Sequence, residues 1–235
     1  MNKSTVEEIR TRFDNDVERF SNLETGQQTT IDAAICLRLI TQAAAHWVPE
    51  ADQLLDVGCG AGNYTLKMLE ANNSLHCTLL DLSRPMLDRA LERVSVVSQY
   101  PTKCVQGDIR TASLDENHYD IILAGAVLHH LRDDNDWEQT FRRLYRLLRP
   151  GGCLLISDMV TQETEVLNQY IRGEYGHYLE QLGGVPFRQR VTDYIEKEDS
   201  PRPVTEQLRL MLNVGFRTTE ILHKNLCFAA YGALK

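Results

Sequence analysis

Three glycines alternate in the stretch Leu54 to Thr65, LLDVGCGAGNYT, directly behind an apolar run that ends in an acid. Gly58, Gly60 and Gly62 carry no Cβ, so the chain can turn sharply there and bring its N–H groups close to a polar ligand. Asp81 follows Gly62 by 19 positions at the end of CTLLD, the interval at which an acid ending a second strand can accept both hydroxyls of a ribose. The spacing G-x-G-x-G departs from the dinucleotide fingerprint G-x-G-x-x-G, which argues against a nicotinamide or flavin. Asp108, in QGDI, could accept an amino hydrogen from a purine edge or simply begin a turn. His129 and His130 close LAGAVLHHL, and Asp158 closes LLISD. Histidine titrates near neutrality, so this trio could orient or deprotonate a reacting group. The structural alternative is that one histidine caps the strand, the other packs, and Asp158 serves a turn.

Such residues need a frame. Apolar runs of strand length alternate with helical patterns from Gln53 onward: QLLDVG, NYTLKMLEANN, LHCTLLDLS, PMLDRALERVSVVS, TKCVQGDI, YDIILAGAVL, DWEQTFRRLYRLLR and GCLLISDM. This alternation predicts an α/β fold, a parallel sheet with helices on both faces. The first 48 residues read as helices. Val6, Ile9, Phe13, Val17 and Phe20 recur at three or four, a second apolar-striped segment follows, and Pro49 ends it. Between residues 160 and 200 the alternation stops. Leu167, Ile171, Tyr175, Tyr178 and Leu182 fall on one helical stripe that ends at Gly183-Gly184, where a cap over the sheet can be inserted. A last helix then leads into RTTEILHKN and LCFAAYGALK, close enough in sequence to pair as an antiparallel hairpin. The chain is read as one domain over 1–235, with an N-terminal helical segment at 1–48 and a cap at 160–200.

Composition narrows the partners. A net charge of −8 gives no broad basic field for nucleic acid, and 43% hydrophobic residues suffice for a sizeable core. Six cysteines lie far apart without a CxxC pair, which reads as reduced thiols rather than a disulfide frame or zinc knuckle. No metal ligand set is expected. The charged start and the lack of a roughly 20-residue apolar run point to a cytoplasmic chain without a membrane span.

Taken in order, LLDVGCGAG, LLDLS, QGDI, DIILAGAVLHHL and LYRLLRPGG resemble the motif series of class I S-adenosylmethionine-dependent methyltransferases, strongly over Leu54 to Met159. The resemblance implies a Rossmann-like seven-stranded sheet of order 3-2-1-4-5-7-6 with the last strand antiparallel, and S-adenosyl-L-methionine as cofactor. It implies that Asp56 and the loop Gly58, Cys59, Gly60 and Gly62 face the methionine part. By the same resemblance Asp81 holds the ribose, Leu82 and Met86 flank the adenine, and Asp108 with Ile109 binds its edge. Gly125, between Ala124 and Ala126, would let the ligand lie against the backbone. Cys59 reads as a small hydrophobe suited to a tight turn rather than a nucleophile.

Methyl transfer from a sulfonium needs mainly alignment and exclusion of water, so a general base is optional. His129, His130 and Asp158 are its candidates. Tyr175 and Tyr178 on the cap, with Tyr170 and His177 nearby, are candidates to contact a small-molecule acceptor; a tyrosine stripe of this kind also serves as ordinary core. RFDNDVERFSN, DVGCGAG and VGFRTTEILHKNLCFAAYGALK look, more loosely, like relatives of carboxy-S-adenosylmethionine synthase, which serves tRNA wobble-uridine modification. Those enzymes tend to have serine where this chain has Gly60, and Arg190 stands near the position of their carboxylate-binding arginine. Methyl transfer to a small acceptor is therefore placed first, with carboxy-cofactor synthesis or tRNA modification second and a non-catalytic cofactor sensor third. A homodimer is left open.

Overall fold

A computed structural model describes residues 3–22 and 27–235. Seven strands, β1 Gln53–Val57, β2 His76–Asp81, β3 Lys103–Gln106, β4 Tyr119–Gly125, β5 Leu148–Met159, β6 Thr218–Asn225 and β7 Phe228–Leu234, form one sheet. Their order is β3-β2-β1-β4-β5-β7-β6, with β7 antiparallel to both neighbours. This is the seven-stranded topology that the motif order implies.

Period-two alternation in the sequence sorts the core into two layers. Leu55, Leu80, Ile122, Leu154 and Tyr231 point to one face, while Leu54, Leu79, Ile121, Leu155 and Ala230 point to the other. Both sets are covered, which is why these strands read as continuous apolar runs. On the second face lie α3 Ala33–Trp47, through Leu37, Ile40 and Ala44, α4 Asn63–Ala71, through Tyr64 and Met68, and α5 Arg84–Val94, through Leu87 and Ala90. The first face receives α6 Asp134–Leu147, through Trp137, Phe141 and Leu144, and α8 Val204–Val214, through Met211.

Local signals set the helix starts that matter for the site. Ser83 caps α5 by accepting from Met86 N–H, and Asp133 caps α6 by accepting from Asp136 N–H. The N-terminal pattern read as one helix is two, α1 Val6–Asp14 and α2 Val17–Ser21, broken at Asn15 and Asp16. α1 begins in a complete capping box, with Thr5 and Glu8 each accepting from the other's backbone N–H.

The cap is helix α7, Glu165–Glu198, interrupted at Gly183 and at Gly184, whose φ is +73°. The predicted break is therefore present, but the chain resumes helix beyond it. The buried face also differs from the expected stripe: Tyr175, Gly176, Leu179 and Val191 are buried, whereas Leu167, Tyr170 and Leu182 are exposed. Leu179 and Tyr175 pack with Ile31, Val191, Cys227 and Phe228 in a small third core beneath the cap. Among the described residues no helix is long and apolar enough to cross a membrane.

Candidate active site

The carboxyl ends of β1, β2, β4 and β5 surround a cavity of about 180 Å³, roofed by α1, α2 and α7. A smaller cavity of about 80 Å³ adjoins it, and the two share Gly58, Asp81, Leu82, Val127 and His130.

The glycine loop follows β1. Gly58, Gly60 and Gly62 all have positive φ, but only at Gly60 would an added Cβ meet open space. Gly58 is held against Val127, and Gly62 against Ala90 and Val94 of α5. Thus Gly58 both packs and lines the cavity, Gly62 serves packing, and Gly60 faces the cavity with open space beside it. Gly125 is likewise a packing residue, since a Cβ there would stand 2.3 Å from the Tyr64 ring. Gly60 N–H donates to Asp81 Oδ2 at 2.8 Å, while Ser83 N–H donates to Asp81 Oδ1 at 2.8 Å. Burial pushes the Asp81 carboxyl up to about 6, against the pull of these backbone donors.

Asp56 does not line either cavity. It is 1% exposed, its Oδ2 accepts from the backbone N–H and hydroxyl of Thr65, and its Oδ1 has no partner. Burial pushes it up to about 7, with the Thr65 donors pulling the other way. Through Thr65 it anchors β1 to α4. Asp108 and Ile109 line the smaller cavity with Leu82 and Gly107. The Asp108 carboxylate is committed to Arg110, whose Nε lies 3.0 and 3.1 Å from its two oxygens. Burial opposes that charge, but Arg110 outweighs it and keeps the pKa below the usual carboxylate range.

Leu82, Met86 and Cys59 line the larger cavity. Cys59 is buried and burial pushes its thiol well up, so it is not a thiolate near neutrality.

The far wall is built from the turn after β4. Ala126 adopts φ +55°, unusual for a residue with a Cβ, and so re-aims the chain into the 3-10 turn Leu128–His130. Asp158 at the end of β5 holds that turn. Its Oδ2 accepts from Leu128 N–H at 2.8 Å and from His129 N–H at 3.2 Å, and its Oδ1 accepts from Met159 N–H at 2.7 Å and from His129 Nδ1. A third acid arrives from the end of the cap: Asp199 Oδ1 lies 3.7 Å from His129 Nε2 and 3.2 Å from His130 Nδ1. Burial disfavours charge on His129, yet Asp158 and Asp199 outweigh it and raise the pKa to about 9. His130 moves down, through burial first and then the neighbouring His129.

The sequence reading missed Asp199. It lies in EKEDSPRP, outside any periodic stripe, and only the fold of the cap brings it to the turn after β4. Tyr64 and Ser157 are also in the wall without having been singled out.

Phe13 and Phe20, 5.5 Å apart between ring centroids, roof the cavity with Ile9, Arg12 and Arg19. Arg12 grips Glu198, with Nε 3.0 and 2.8 Å from its two oxygens, and Arg132 NH2 donates to Ser4 O at 2.9 Å. The N-terminal helix and the end of the cap are thereby tied together over the site.

Of the residues expected at the acceptor, Tyr175 lines the cavity and its hydroxyl donates to Thr29 O at 2.8 Å. Tyr178 and Arg190 do not. The Tyr178 hydroxyl donates outward to Gln28 O, and Arg190 is exposed with its guanidinium 5.5 Å from the Phe187 ring centroid. Tyr178 stacks on the Tyr175 ring, 6.2 Å between centroids, at the edge of the small core beneath the cap, whereas Arg190 lies beyond the glycine break.

Comparison with known proteins agrees with this frame. Residues 55–154 match the model described as a methyltransferase domain. The chain is 32% identical over 109 residues to YqeM of Bacillus subtilis, a match covering 46% of this chain and only 42% of that protein. It is 23% identical to the carboxy-S-adenosyl-L-methionine synthase of Campylobacter lari, over 85% of this chain and 84% of the synthase. Among solved structures, the 1,6-didemethyltoxoflavin-N1-methyltransferase of Burkholderia thailandensis superposes with a TM-score of 0.67 at 15% identity, covering 100% of this chain and 92% of that one. Residues 55–154 thus carry a methyltransferase domain, and the chain as a whole is similar in fold to S-adenosylmethionine-dependent methyltransferases.

Proposed function

We propose that this protein transfers the methyl group of S-adenosyl-L-methionine to a small-molecule acceptor held in the chamber between Gly60 and the cap. The observation that carries this reading is the continuity of the two cavities through Gly58, Asp81, Leu82 and Val127. One end carries a half-buried acid suited to a ribose, and the other opens under aromatic rings.

The residues fit the cofactor. Asp81 has both oxygens fixed by backbone donors yet keeps lone pairs for two hydroxyls, and the space beside Gly60 is one that a side chain would fill. When bound, S-adenosyl-L-methionine supplies a methyl sulfonium that is already an electrophile. The protein's part is then alignment and dryness. Ile9, Phe13, Phe20, Tyr175, Tyr194 and Phe228 give the chamber its apolar surface. His129, His130, Asp158 and Asp199 form a strongly polar wall and would meet the polar end of an acceptor.

The assay is methyl transfer from radiolabelled cofactor to a library of small acceptors, with S-adenosylhomocysteine as the measured product. Release of S-adenosylhomocysteine that depends on acceptor supports the reading; no turnover with any member of a broad library would count against it. The match along 84% of the synthase favours a second reading, formation of carboxy-S-adenosylmethionine. Against it stands the exposed position of Arg190. A carboxylated cofactor in the purified protein, together with consumption of prephenate, would replace the first reading by the second.

A further inference from the structure

The polar wall gathers two imidazoles and a carboxylate, with His130 Nδ1 3.2 Å from Asp199 Oδ1 but not well aligned for a hydrogen bond. One imidazole nitrogen each from His129 and His130 and one oxygen of Asp199 all lie within 4.8 Å of one another. Asp199 is 4% exposed, and its Oδ1 has no hydrogen-bond partner; neither ring nitrogen of His130 has one. Buried acceptors left this way cost on the order of 1–3 kcal/mol each, more when charged.

The orientation of His129 sharpens the point. Asp158 accepts from three backbone N–H groups and from His129 Nδ1, so Nε2 is the nitrogen turned toward Asp199, and the Nε2 proton that the two acids favour near neutrality is the one an ion would displace. At 3.7 Å, Nε2 is too far from Asp199 Oδ1 for a proton to bridge them. A metal ion with bonds of about 2.1 Å, by contrast, spans the two pairs at 3.2 and 3.7 Å, and would draw the imidazoles together where they stand more than about 4 Å apart.

We infer that His129, His130 and Asp199 form a site for a divalent transition-metal ion, with Asp158 orienting His129 from behind. Two imidazoles and one carboxylate suit Zn²⁺, Co²⁺ or Fe²⁺ better than Mg²⁺ or Ca²⁺, which prefer all-oxygen shells. The hydrogen bond from Nδ1 to a carboxylate is the arrangement that fixes metal-binding histidines. All three donors line the larger cavity, so the ion's remaining positions face the chamber and would take an oxygen or nitrogen of whatever occupies it. That last point rests on the proposed function; the ion site does not.

The test is titration of chelator-treated protein with Co²⁺, followed by visible absorption and by calorimetry, then competition with Zn²⁺. One equivalent is expected to bind with micromolar or tighter affinity and to give ligand-field bands that Zn²⁺ abolishes. His130→Ala and Asp199→Ala should each weaken binding at least 100-fold, and Asp158→Asn by about 10- to 100-fold. Absence of binding, or binding that His130→Ala and Asp199→Ala leave unchanged, overturns the inference. If those variants do not fold, crystals of the wild-type protein soaked in Zn²⁺ decide: an anomalous peak between the three donors supports the site, and its absence refutes it. These readouts involve no methyl transfer, so a metal-free methyltransferase and a metal-binding protein without turnover give different results.

Discussion

The backbone N–H of Gly60 donates to Oδ2 of Asp81 at 2.8 Å, which joins the loop after β1 to the end of β2. The acid that would hold the ribose thus also fixes the loop beside it. Gly60→Ala should therefore act on the ligand more than on the fold. Its φ of +50° costs an alanine about 1–2 kcal/mol, and the new methyl enters open cavity. Affinity for S-adenosylhomocysteine is expected to fall about tenfold by calorimetry, with only a small change in Tm. Gly125→Ala should show the reverse order, because its methyl meets the Tyr64 ring: a clear fall in Tm with affinity following. Similar profiles for the two variants would contradict the division of roles.

Two desolvated acids, the buried Asp56 and the half-buried Asp81, set a pH dependence. Burial raises Asp81 from 3.8 to about 6 and Asp56 from 3.8 to about 7, so between about pH 4 and 7 the folded protein keeps protons that the unfolded chain has released. Their contribution to stability is complete below about pH 4 and is lost as pH rises through 6 and 7. The Tm of the ligand-free protein should carry this downward term from pH 5 to pH 8, and Asp56→Asn should flatten the dependence. An unchanged profile in Asp56→Asn would refute the assignment. Ligand binding runs the other way, since an ionised Asp81 is the better acceptor. Affinity for S-adenosylhomocysteine should weaken below about pH 6 in wild type.

Tyr175 and Tyr178, which look equivalent as a sequence stripe, should separate. Tyr175 is 5% exposed and stacks edge-on against Phe228; its replacement by alanine should cost roughly 3 kcal/mol or more and raise the KM for acceptor. Tyr178→Ala removes a hydroxyl bound outward to Gln28 and should leave acceptor KM within about twofold. Thermal melts and steady-state kinetics on both variants check this.

The roof depends on one partly buried ion pair. Glu198 has an 8% exposed side chain and is gripped by Arg12. Arg12→Ala leaves that carboxylate without its main partner, which for a buried pair costs about 3–5 kcal/mol. The predicted signature is a lowered Tm together with faster hydrogen exchange in both α1 and the last turn of α7. Exchange rising in α1 alone would show that the two are not coupled.

Much of this was legible in the sequence. Strand positions follow from runs such as QLLDV and DIILAG, because both faces of a parallel sheet are covered and each strand must be apolar throughout. Asp81, Asp108 and the glycine loop could be placed because they sit at strand ends, a fixed distance from a recognisable turn. Asp56 shows the limit of that reasoning. Its sequence position is the same whether its carboxylate faces a ligand or Thr65, and the α4 helix start decides between them. Arg190 and Tyr178 were misplaced because a stripe at spacings of three and four does not reveal which side of a long, glycine-broken helix meets the sheet. Asp199 was invisible because nothing local marks it; 40 residues of cap separate it in sequence from Asp158, which it neighbours in space.

Calorimetric titration with S-adenosyl-L-methionine and S-adenosylhomocysteine tests the central claim most directly, using wild type and Asp81→Ala. One equivalent of each ligand is expected to bind wild type, with affinity at least tenfold weaker in Asp81→Ala while the variant keeps its cooperative melt. If wild type binds neither ligand, or if folded Asp81→Ala binds both as well as wild type does, the cofactor site is not where we place it.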